Sequence, residues 1–204
     1  VDLKNPDLRI HIYLNDTHCS ISLDSSGDSL HKRGYRTQPW KAPLNEVLAA
    51  GMVMLSGWEP GQAFLNPMCG SATLCIEAGG IARGIPGGYY RDHFGFQKWK
   101  DYDPDLFESI RRERYLKAHE EFRIYASDIS FPAIRAAQQN LAGAGLLGKV
   151  NLQKSSFETW DTGLNEGVII MNPPYGERLE EENLAELYRE IGNTLKRKYA
   201  GFRA

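Results

Sequence analysis

Asn172-Pro173-Pro174-Tyr175 is the stretch whose residue types and order best suit chemistry. Pro173 precedes a proline and is held extended, and neither ring nitrogen has a hydrogen to donate. The turn is therefore stiff, with carbonyls open to donors from outside the protein. Asn172 adds a side-chain carbonyl beside them, and Tyr175 adds a flat face. Acceptors next to a stacking platform suit a planar group bearing an exocyclic NH2, as at an amine-methylation site. The competing reading is an ordinary turn, since Asn-Pro commonly opens one and most Pro-Pro pairs lie in loops.

A second chemical element lies upstream. Gly70, flanked by Ser71 and Thr73, falls between an apolar run at 62–66 and a helix through about residue 83. Such a turn presents backbone N–H groups at a positively polarised helix N-terminus, where a phosphate or carboxylate can sit. No Gly-Lys-Ser/Thr pair follows, so it is not a P-loop. Ala72 interrupts the spacing of a dinucleotide fingerprint, which favours the amino-acid carboxylate of S-adenosylmethionine over a dinucleotide. A purely structural strand–helix turn is the alternative. Asp128 follows the next strand, where nucleoside ribose hydroxyls are commonly gripped. Ser155-Ser156-Phe157 ends the strand after that, where adenine could lie.

These residues need elements to position them. Runs at 62–66, 122–126, 150–153 and 168–171 are apolar or alternating and read as strands. Helices are expected over 43–58, from the glycine turn to about 83, over 130–141 and over 181–198. Strand and helix alternate, which predicts an α/β, doubly wound parallel sheet that binds ligands at the carboxyl ends of its strands. Strands 62–66 and 168–171 should flank the switch point. Before them, 8–14 and 19–23 alternate around Asn15-Asp16 and read as a β-hairpin.

Composition sets the class. The 204 residues suffice for one good-sized domain, and 42% hydrophobic with 25% charged residues is ordinary for a globular protein. A net charge of −2 argues against polyanion binding over the whole surface but leaves room for a local basic patch. Cys19, Cys69 and Cys75 lack metal-ligand spacing and read as reduced thiols of a cytoplasmic protein. No run has membrane-spanning length, so no membrane partner is expected.

The His31–Arg36 run is a solvated loop unless it folds over the site, where it would face a phosphate or carboxylate. Residues 84–121, rich in aromatics and ending in arginines, either stack nucleic-acid bases or simply pack an insertion. The chain opens at Val1 and stops where a strand is about to begin. This predicts a segment of a longer polypeptide, with strand 168–171 left as a sheet edge.

Asn66-Pro-Met-Cys-Gly-Ser-Ala-Thr-Leu-Cys-Ile-Glu-Ala78 and Asn172-Pro-Pro-Tyr-Gly-Glu-Arg-Leu179 together resemble the THUMP-associated RNA guanine-N2 methyltransferases. Ser25–Arg36 and Ala42-Pro-Leu-Asn-Glu46 extend the resemblance over nearly the whole chain. Asn66 stands where that family often has Asp, and Ala72 where it often has Gly. The resemblance implies a Rossmann-like class I methyltransferase sheet, preceded by the hairpin and lacking its C-terminal strands. It implies residues 1–36 as a hairpin and basic loop adjoining an absent THUMP domain, and 37–204 as a truncated methyltransferase domain. Asn172, Pro173, Pro174 and Tyr175 would be the catalytic set. S-adenosyl-L-methionine would be held by Asn66, Pro67, Met68, Cys69, Gly70, Ser71 and Thr73, with Asp128, Ile129, Ser156, Phe157 and Asn172. The implied substrate is RNA, most naturally ribosomal, methylated on a guanine N2 amine. An adenine-N6 or glutamine-amide methyltransferase and a non-catalytic RNA-binding fragment remain alternatives. They differ in the methylated product and in whether the cofactor binds at all.

Overall fold

The computed structural model describes residues 6–36, 43–114, 121–174 and 181–204. A hairpin of β1 (Ile10–Leu14) and β2 (Cys19–Leu23) comes first, paired antiparallel from Ile10↔Leu23 to Leu14↔Cys19. The Asn15 side chain accepts the N–H groups of Thr17 and His18 and so closes the turn. Both strands are exposed along their whole length, so the alternation predicts the strands but buries neither face among the described residues.

The rest of the chain builds a five-stranded sheet. Its strands are β3 (Ala63–Pro67), β4 (Arg123–Asp128), β5 (Val150–Lys154), β6 (Gly167–Ile169) and β7 (Phe202–Arg203). They lie in the order β5-β4-β3-β6-β7, and every neighbouring pair is parallel. The helices are α1 (Glu46–Leu55), α2 (Thr73–Ala82), α3 (Pro104–Arg114), α4 (Phe131–Gly143) and α5 (Glu181–Lys198). The expected doubly wound sheet is therefore present. β3 is followed in the chain by β4 on one side and flanked by β6 on the other, which is the predicted switch point.

One expectation is corrected. β6 is not an edge, because Gly167 and Val168 pair with Phe202 and Arg203 of β7. Four residues beyond α5 are enough to bring the chain back onto the sheet. Gly167 makes that crowding possible: its φ is +150°, and a Cβ there would lie 2.6 Å from the Ala63 carbonyl oxygen. Helix α1 also starts later than Pro43, because the Asn45 side chain caps it by accepting the N–H groups of Val47 and Leu48.

Both faces of the sheet are covered. Phe64 and Leu65 are successive residues of β3, both fully buried, and belong to different core clusters. Phe64 packs with residues of α1, α2 and α4, and Leu65 with Phe157, Trp160, Ile191 and Tyr199. Burial of each such side chain contributes about 1.5–3 kcal/mol, so β3 is clamped from two sides. The aromatic insertion packs on itself: Phe94, Phe96, Tyr102 and Phe107 form a ring cluster with centroids 5.3–6.0 Å apart. Buried Arg91 lies over Phe94 and donates to the carbonyls of Ser26, Asp28 and Ser29, fastening the loop after the hairpin. Packing, not base stacking, occupies these aromatics.

Candidate active site

The carboxyl ends of β3 and β6 are joined by one side chain. Asn66, 1% exposed, donates from Nδ2 to the Ile170 carbonyl at 2.7 Å and accepts the Cys75 thiol on Oδ1 at 3.4 Å. An amide serves both bonds at once, whereas an ionised carboxylate has no proton for Ile170. Asn66 thus fixes the spacing between the glycine turn and the Asn172 turn.

The glycine turn is held from several sides. Cys69 donates its N–H to Ser127 O at 2.8 Å, and Gly70 donates to Asp128 Oδ2 at 2.9 Å. Asn140, fully buried on α4, donates to Ser71 O at 3.2 Å. Gly70 (φ 54°), Met68 (φ 58°) and Ala72 (φ 64°) all take left-handed conformations. Only the first costs nothing, so the Met68 and Ala72 strain is sustained by these surrounding bonds. Ala72 is the N-cap of α2 and offers no side-chain acceptor, so the first-turn N–H groups lack a side-chain cap.

Asp128 ends β4. Its Oδ1 accepts the Ser130 N–H at 2.9 Å, and Ser130 in turn caps α4 through Ala133. Part of this carboxylate is therefore structural, although each oxygen retains a further lone pair.

These elements enclose a cavity of about 360 Å³ at the switch point. Of the residues expected from sequence, Asn66, Met68, Cys69, Gly70, Ser71, Thr73, Asp128, Ile129, Ser156, Phe157, Asn172 and Pro174 line it. Pro67 and Pro173 do not appear on its wall, and Tyr175 lies outside the described residues. Phe157 contributes less face than expected. It is 3% exposed, with its ring stacked on Tyr199 at 5.2 Å and 8°. The Ser156 hydroxyl is shared with Thr159 at 2.9 Å.

Sequence reading missed several wall residues. Pro43 and Leu44 arrive just ahead of α1, Glu158 follows Phe157, and Leu187 comes from α5, in an apolar stripe that read only as core. The His31–Arg36 loop does fold onto this region. Arg36 donates through Nε and Nη2 to Glu46 Oε1 at 3.1 and 2.8 Å, through Nη1 to Ser71 Oγ at 3.0 Å, and through Nη2 to Thr73 Oγ1 at 3.2 Å. Arg33 makes a two-armed pair with Glu77 at 3.2 and 3.0 Å. Burial raises the Glu77 carboxyl above its usual range even though Arg33 pulls it down. Burial likewise pushes the Cys69 thiol up, aided by Cys75 and Asp128, so this thiol stays neutral on the cavity wall.

Comparison with known proteins places this arrangement in context. A family model described as RMKL-like, methyltransferase domain, matches residues 33–203, and a THUMP domain model matches residues 1–24. The ribosomal RNA large subunit methyltransferase K/L of Photobacterium profundum is 40% identical over 209 residues, covering 98% of this chain and 29% of that protein. Curated relatives are spanned over 29–54% of their own length. The crystal structure of SMU.472, a methyltransferase by assignment complexed with SAH, superposes with a TM-score of 0.86 at 35% identity, over 96% of this chain and 51% of that one. A structure from Listeria monocytogenes, described as an N6-adenine-specific DNA methylase by prediction, superposes with a TM-score of 0.87 at 34% identity, over 96% and 52%.

Proposed function

The chain belongs to the RMKL-like methyltransferase domain family, and on that basis we propose that it methylates RNA on a guanine N2 amine, using S-adenosylmethionine. The observation that carries this reading is one cavity lined by both the glycine turn with Asp128 and the Asn172–Pro174 turn. SAH in the related SMU.472 structure supports the choice of methyl donor.

The residues present fit that donor. A cavity of about 360 Å³ is adequate for a nucleoside with an amino-acid tail. Asp128 keeps lone pairs for two ribose hydroxyls, and the uncapped N-terminus of α2 suits the carboxylate. Bound there, S-adenosylmethionine supplies an electrophilic methyl group on a sulfonium. The protein's task is to present a nucleophile to it. The guanine N2 lone pair is delocalised into the ring and attacks poorly. Acceptors of the Asn172 turn, the Asn172 side chain first among them, would take its N–H groups and favour a pyramidal nitrogen, with Tyr175 stacked on the base. Positioning and preorganised electrostatics then provide the catalysis. The base has to leave its stack to enter the cavity.

The K/L relatives suggest ribosomal RNA as the substrate. We place residues 1–36 as a hairpin and basic loop adjoining a THUMP domain and 37–204 in the methyltransferase domain; the THUMP match covers residues 1–24, and the methyltransferase match begins at 33, four residues ahead of this boundary. Among the described residues no helix is long and apolar enough to cross a membrane, and the three thiols are free. The free thiols suit our placement of the enzyme in the reducing cytoplasm. Adenine-N6 methylation is the second reading, favoured by the Listeria neighbour and by an Asn172 turn that accepts either exocyclic amine. Transfer of labelled methyl to ribosomal RNA, followed by nucleoside analysis, decides. N2-methylguanosine is expected, N6-methyladenosine would select the second reading, and no transfer with no cofactor binding would leave an RNA-binding fragment.

A further inference from the structure

The hydroxyls of Ser71 and Thr73 are the least explained polar groups on the cavity wall. Ser71 is 3% exposed and Thr73 4%, and both line the cavity beside the N-terminus of α2. Each accepts a hydrogen bond from Arg36, at 3.0 and 3.2 Å. A guanidinium can only donate, so each hydroxyl oxygen acts as acceptor toward Arg36 and keeps its own hydrogen for another partner. Among the described residues neither hydroxyl donates to any group. Two nearly buried donors without acceptors, both on residues that line one cavity, call for an anion.

Arg36 itself is fixed. Glu46 takes two of its arms, and the side chains of this pair are 19% and 8% exposed. It reaches the site from the loop that follows the hairpin, outside the strand–helix alternation of the sheet. We infer that Arg36 is a positioning residue of the cofactor site: it turns the Ser71 and Thr73 hydroxyls into the cavity, where they receive the amino-acid carboxylate of the methyl donor. The inference rests on the proposed S-adenosylmethionine site and adds the residue from outside the sheet that orders its carboxylate-binding end. Phosphate is a poorer match, because two hydroxyls and one helix N-terminus beside the neutralised Arg36–Glu46 pair suit a single negative charge better than a doubly charged group.

The pair also predicts how loss would be felt. Without Arg36 the hydroxyls are free to rotate, and Glu46 remains as an unpaired, nearly buried anion close to the same spot. Both changes act on a carboxylate and not on a nucleoside. Calorimetry on the whole chain with S-adenosylhomocysteine and with 5′-methylthioadenosine, which lacks the amino-acid carboxylate, separates this from a merely structural role. Arg36→Ala should weaken the first ligand at least ~10-fold and the second by less than about twofold, since bonds to a charged group are the stronger ones. Ser71→Ala, which leaves the Arg36–Glu46 pair intact, should show the same selectivity and carries the test if Arg36→Ala does not fold. Arg36→Lys should fall between, because a single ammonium nitrogen lacks the planar fork whose three nitrogens reach Glu46, Ser71 and Thr73. Equal loss for both ligands, or no loss for either, overturns the inference while leaving the methyltransferase proposal in place. A wild-type chain that binds neither ligand removes the proposal, and this inference with it.

Discussion

Asp128 Oδ2 receives the Gly70 N–H at 2.9 Å, tying the end of β4 to the glycine turn after β3. The two strands are hydrogen-bonded neighbours, with Pro67 opposite Ser127. This carboxylate therefore shapes the cavity and also offers lone pairs to a ligand inside it.

Two consequences of Asp128→Ala follow from that double use. Cofactor affinity should fall at least about tenfold, because bonds to a carboxylate contribute roughly 1.5–3 kcal/mol each. Stability should also fall, by about 1–3 kcal/mol, as the Gly70 and Ser130 N–H groups lose their acceptor. Calorimetry with S-adenosylhomocysteine and urea unfolding read the two effects separately. A folded variant with unchanged affinity would take Asp128 out of the site.

Asn66→Ala tests the bridge between β3 and β6. The Ile170 carbonyl and the Cys75 thiol both lose a buried partner, at a cost of about 1–3 kcal/mol plus that of the small void left behind. Urea midpoints should drop accordingly at unchanged slope. A loss below roughly 0.5 kcal/mol would mean that the two strand ends are held apart correctly without this amide.

Glu77 gives a pH signature. Burial holds its carboxyl above the ordinary value of 4.5, so in that window the folded chain binds more protons than the unfolded one. The stability from this group is fully present below pH 4.5 and is lost as pH rises through the elevated value. Glu77→Gln should remove that decline while still accepting from Arg33. The comparison is the difference between wild type and variant across pH 4 to 8 in thermal melts. Superimposable pH profiles would show that Arg33 fully offsets the burial.

Much of this was legible in the sequence, and the exceptions have physical reasons. β3, β4, β5 and α5 are apolar-periodic segments bounded by strong turn residues, so their periods identify them. The glycine turn, Asp128 and Asn172 could be named because backbone chemistry at strand ends constrains residue type. Asn66 was legible only as a position, since its bond to Ile170 spans 104 residues and depends on sheet order. Phe157 was placed beside a ligand, but its ring is shared with Tyr199, and no local pattern announces that stack. Arg36 was visible as a charge in a loop. Its contacts with Glu46, Ser71 and Thr73 arise only when α1 and α2 pack together. β7 was missed as a partner of β6 because two residues carry no periodicity.

The central claim is that the Asn172 turn presents an exocyclic amine to the methyl donor, and kinetics of Asn172→Ala test it most directly. Its hydrogen bond should strengthen as the amine nitrogen becomes pyramidal, so it acts on the transition state more than on the ground state. Affinity for S-adenosylhomocysteine should stay within about twofold of wild type, while single-turnover methyl transfer to RNA falls by roughly 10²–10³, the size seen when one preorganised hydrogen-bonding group is removed from a reacting centre. A fully active Asn172→Ala would make the turn merely structural and contradict the account.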